Sequence, residues 1–153
     1  MADNQGERVG IVIVSHVDLG AALLGAVEFI LDQQLYDCCA VSINTAHDVS
    51  DTVSRLNDAA DRLDSGAGVL ILTDMFGGNP TNIALSLLGK HNVEVVTGVN
   101  LPMLLKVFGH RTLPLDALAE LARKAGSDGI VVTGKMLNGR KKKDVFKEGQ
   151  KES

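Results

Sequence analysis

The sequence predicts a doubly wound α/β fold, with a mostly parallel sheet covered by helices on both faces. Three features support this. Strand-length apolar runs alternate with segments of helical period along most of the chain. The runs are continuous rather than alternating, as in strands buried on both faces. Proline or polar capping residues stand where the helical patterns begin. The 153 residues suit one domain. A chain of that size buries roughly 70% of the surface its unfolded form exposes.

Taken in order, VGIVIVS (9–15) reads as the first strand. Leu19, Leu23, Leu24, Val27, Ile30 and Leu31 then recur at helical spacing. CCAVSIN (38–44) is a second strand. Ser50 and Asp51 are candidate caps for a helix with the stripe Val53, Leu56, Ala60 and Leu63. GVLILT (68–73) is a third strand, and DMFGGNP turns the chain so that Pro80 opens the helix TNIALSLL. VEVVT (93–97) is a fourth strand, and Pro102 opens a helix over 102–109. A further helix runs from Leu115 to Ala125, and GIVVT (129–133) reads as a last strand. The expected division is an N-terminal tail (1–8), one domain (9–135) and a basic flexible tail (136–153).

Composition excludes several classes. The aromatics are one Tyr, four Phe and no Trp, too few for base-stacking platforms. Residues 140–153 carry net +3 and the rest of the chain −7, an acidic body with a solvated tail rather than a nucleic-acid binder. No apolar run is long enough to span a membrane, and MADNQGERVG lacks a signal-peptide pattern, so a cytoplasmic protein is expected. Cys38 and Cys39 are adjacent in an apolar run and read as buried thiols, not as a disulfide or zinc site.

In an open parallel sheet, ligands bind beyond the carboxyl ends of the strands, where the strand order reverses. With the common order 2-1-3-4, strands one and three meet there, and His16 and Asp74 face each other. A carboxylate that accepts from one imidazole nitrogen fixes the tautomer and leaves the other nitrogen nucleophilic. Gly77 and Gly78 permit close backbone approach. Amides at the start of the next helix, with Asn79, offer donors to an anion. Singly, each residue has an ordinary structural explanation: a strand-end His, an Asp in a turn, a tight glycine turn. Together they suit transient phosphorylation of a histidine. His47, His91 and His110 have no such setting and read as surface or capping residues. Metal-ligand spacing, a Walker loop and GxGxxG are all absent, so no metal and no cofactor are expected.

IVIVSH, GVLILTDMFGGNPTN and VEVVTGVNLPMLL, in that order over about residues 9–133, resemble the IIA component of the mannose-type phosphoenolpyruvate-dependent sugar phosphotransferase system. The resemblance implies that His16 accepts and donates the phosphoryl group and that Asp74 orients it. It places Ser15, Gly77, Gly78 and Asn79 around that group. It implies a phosphotransferase that takes phosphoryl from HPr, itself charged by enzyme I, and passes it to a IIB component on a separate chain. The protein would then be peripheral to the IIC/IID membrane permease. It further implies an antiparallel last strand (129–133) exchanged within a homodimer. The chain departs from the family pattern at SHV, where members read THG, at Asn79, where many have Ser, and in showing no IIB domain after the basic tail. Two alternatives stay open: a stand-alone regulatory module whose phosphorylation state controls a partner, and the phosphoryl-donor subunit of dihydroxyacetone kinase.

Overall fold

A computed structural model describes residues 7–44, 48–75 and 77–139. The expectations for His47, for the tail from 140 onward and for residues 1–6 lie outside them. Strands β1 (Gly10–His16), β2 (Cys38–Ile43), β3 (Val69–Thr73) and β4 (Val93–Thr97) form one parallel sheet in the order β2-β1-β3-β4. In register, Ile11 lies opposite Cys38 on one side and Leu70 on the other.

Side-chain alternation along the strands divides the core into two layers. Val9, Ile11 and Ile13 join Leu70 and Leu72 on the face covered by α1 (Leu19–Leu31), α4 (Leu101–Phe108) and α5 (Leu115–Asp128). Val12 and Val14 join Val69 and Ile71 on the face covered by α2 (Val49–Leu63) and α3 (Asn79–Leu85). Burial on both faces is why β1 and β3 read as unbroken aliphatic runs. The sheet and α2 meet closely at Gly10, where an added Cβ would lie 2.6 Å from the Leu63 carbonyl oxygen at the end of α2. Gly10→Ala should therefore destabilise the fold by about 1–3 kcal/mol, read as a lowered thermal midpoint.

Several local expectations shift. Asp48, not Ser50 or Asp51, caps α2, its carboxylate accepting from the Asp51 amide at 2.7 Å. Pro80 and Pro102 take the second helical position rather than the first. The two cysteines are half-buried free thiols, and burial pushes both thiols up from their ordinary values.

Within the single chain, residues 129–132 form no strand. Gly129 closes α5, its amide donating to the Ala125 carbonyl, and the Ile130 amide donates to Ser127. Two amides that a sheet ladder would need are thereby used in the helix end. The chain then enters α6 (Thr133–Gly139). Ile130, Val131 and Val132 stay exposed, Ile130 at 77%, and the sheet has four strands, all parallel, among the described residues.

Candidate active site at the carboxyl edge of the sheet

β1 runs one residue further than its apolar stretch, so His16 is the last strand residue, paired with Ile43. Asp74 follows the last residue of β3. Because β1 and β3 are neighbours, the two side chains meet: Asp74 Oδ2 lies 2.8 Å from His16 Nδ1 and accepts the His16 backbone amide at 3.0 Å. An ionised carboxylate can only accept, so Nδ1 carries the proton and donates it. Nε2 is then left with its lone pair. Burial opposes ionisation of Asp74, but the His16 amide and ring N–H outweigh it and hold the carboxyl below the usual carboxylate range. The aspartate is largely covered, with its side chain 10% exposed, while the imidazole is 48% exposed. The carboxylate is thus a fixed support, and the ring presents its free edge to solvent.

The glycine turn closes one side. A Cβ at Gly78 would sit 3.4 Å from His16 Cε1, in van der Waals contact with the ring. Gly77 adopts φ +81°, a conformation glycine reaches without a Cβ clash. Asn79 is exposed at the first position of α3. Two residues the sequence did not single out hold this turn. The Thr73 and Thr81 hydroxyls are 2.8 Å apart, and Thr81 donates to the Met75 carbonyl at 2.6 Å. A buried hydroxyl needs a partner, and the two threonines bracketing DMFGGNP were the available signal.

Ser15 is not with the others. It is buried, and its hydroxyl accepts from the Gly20 amide at 2.8 Å, which fixes the start of α1. The GVNLPM stretch is likewise structural: Asn100 caps α4 through the Met103 amide and donates to the Gly126 carbonyl, tying α4 to α5. His110 donates from Nδ1 to the Lys106 carbonyl at the end of α4, and His91 bridges Asn57 and Asp61 of α2. Both lie apart from His16.

Val17 adopts φ +52°, a left-handed conformation that is a genuine outlier for a β-branched residue. Its amide donates to the Ile43 carbonyl at 2.8 Å. The conformation costs about 1–2 kcal/mol. Glycine would remove that cost but loses more backbone entropy on folding. Val17→Gly should therefore gain about 1 kcal/mol net, a rise of about 2–4 °C in the thermal midpoint.

The geometry defines a class: doubly wound α/β domains with an exposed imidazole, held by a carboxylate, at the switch point of a parallel sheet. The particular family follows from comparison. Residues 10–125 match the model of the EIIA-man family, described as the PTS system fructose IIA component, and the chain belongs to that family. It is 30% identical over 125 residues to the PTS system mannose-specific EIIAB component of Escherichia coli K12, a match covering 80% of this chain but 38% of that protein's length. Among solved structures, the phosphotransferase system component EIIA from Streptococcus agalactiae aligns with TM-score 0.73 at 26% identity, covering 83% of this chain and 98% of that one. The PTS IIA protein associated with the fucose utilization operon from Streptococcus pneumoniae aligns with TM-score 0.76 at 24% identity, covering 86% and 98%; at that identity the likeness speaks to the fold. No helix among the described residues is long and apolar enough to cross a membrane.

Proposed function

We propose that the chain carries a phosphoryl group on His16 Nε2, taken from the phosphocarrier HPr and passed to a IIB component on a separate chain for sugar uptake. The observation that carries this reading is the 2.8 Å contact between His16 Nδ1 and Asp74 Oδ2, which commits one nitrogen as donor and frees the other. In the transfer, the Nε2 lone pair forms a bond to phosphorus. The phosphorus–nitrogen bond of the donor phosphohistidine breaks, and its electron pair returns to the donor ring. The Nδ1 proton stays in its hydrogen bond throughout. His16's ring gains positive charge as the new bond forms, and Asp74 offsets that charge. Gly77, Gly78 and Asn79 supply the turn against which the phosphoryl oxygens rest, since the first amides of a helix have no acceptor within it. Ser15 contributes by fixing α1 behind the histidine.

Within the same proposal, the protein works in the cytoplasm at the surface of a IIC/IID permease, as a homodimer. The exposed Ile130–Val132 segment and the open edge of β4 are the surfaces a second subunit would cover. The test is incubation with phosphoenolpyruvate, enzyme I and HPr. One acid-labile, base-stable phosphoryl group per chain is expected; the absence of labelling would refute the reading.

A further inference from the structure

Val17 is an anomaly that packing inside the chain does not explain. Its backbone is held in the left-handed region (φ +52°) by hydrogen bonds on either side: the His16 amide to Asp74 and the Val17 amide to Ile43. A β-branched residue is strained there. Burial of the side chain would be the usual compensation, yet Val17 is 59% exposed. Met75, 54% exposed, comes to the same point as the ring: its Cγ and His16 Cε1 each lie 3.4 Å from where a Gly78 Cβ would be. Two exposed apolar side chains thus adjoin the nucleophilic imidazole.

A phosphoryl donor must bring phosphorus to about 3–3.5 Å from Nε2. Adjacent Cα atoms are about 3.8 Å apart, and a protein contact of standard size covers about 800 Å² on each side. A protein that phosphorylates His16 therefore covers Val17. A valine covered in that way favours an apolar partner surface and penalises a polar one, which would lose water without gaining a hydrogen bond.

We propose that Val17 is a specificity-determining residue, whose branched apolar side chain selects carrier proteins with an apolar rim around their phosphohistidine. The compensation for its strain is then burial in the docked complex. This rests on the assignment of His16 as phosphoryl acceptor.

Val17→Thr isolates the effect, because threonine keeps the branched shape and the same backbone strain while exchanging a methyl for a hydroxyl. Steady-state transfer from phosphorylated HPr should show KM raised about tenfold with kcat within twofold of wild type and an unchanged thermal midpoint. Val17→Gly should raise KM similarly while melting higher than wild type. A KM for Val17→Thr equal to wild type would overturn the proposal and leave Val17 a purely local feature. Failure of the His16 assignment would show separately, as wild-type protein that takes no phosphoryl group from HPr.

Discussion

His16→Ala should abolish phosphoryl acceptance, with labelling falling to background while the thermal midpoint stays within a few degrees of wild type. The size of the effect follows from the chemistry. Alanine leaves no lone pair at the sheet edge. Neither His91, which bridges α2 residues, nor His110, which caps α4, stands beside a glycine turn and a buried carboxylate. The small effect on stability follows from position, because the imidazole is half exposed and fills no core space. Radiolabel transfer followed by gel separation measures both the loss and the residual.

Asp74→Asn should lower the transfer rate by about 100-fold without abolishing it and without moving the site. Two contributions are lost. The negative charge that offsets the ring's developing positive charge disappears. The amide group can also present its NH₂ to Nδ1, which stabilises the tautomer whose proton sits on Nε2 and blocks attack. Stability should respond to acid in a linked way. Asp74's carboxyl titrates lower in the folded protein than in the unfolded chain. Its contribution is therefore present above about pH 4 and is lost as pH falls through the lowered folded value. Below about pH 4 the wild-type midpoint should drop more steeply than that of Asp74→Asn, as thermal melts at stepped pH would show.

The same pair illustrates what a sequence reveals. Continuous aliphatic runs identify β1 and β3 because double-sided burial leaves no polar positions, and the common strand order by itself brings His16 to Asp74. Ser15 could not be placed that way. Whether a hydroxyl beside a histidine faces the ligand or the helix behind it depends on strand alternation at the last residue, and here it faces Gly20. Thr73 and Thr81 are legible only as a pair: either threonine alone is ordinary in a strand or helix, and only their bracketing of DMFGGNP points to a shared hydrogen bond. Residues 129–133 read as a strand because Ile, Val and Val favour one, yet within one chain their neighbours close α5 and leave them exposed. Composition specifies what a segment prefers, while the available partner decides what it does. Val17 is the reverse case: the sequence placed a valine where the backbone turns left-handed, and only the φ angle exposes the cost.

In the proposed function, Asp74 holds the proton on Nδ1 so that Nε2 carries the phosphoryl group. Long-range proton–nitrogen correlation spectra of the ¹⁵N-labelled, phosphorylated protein read both ring nitrogens of His16 directly. A protonated Nδ1 with phosphorus coupling at Nε2 is the predicted result. Phosphorus on Nδ1, or a His16 ring unchanged after the protein has been labelled, would contradict it.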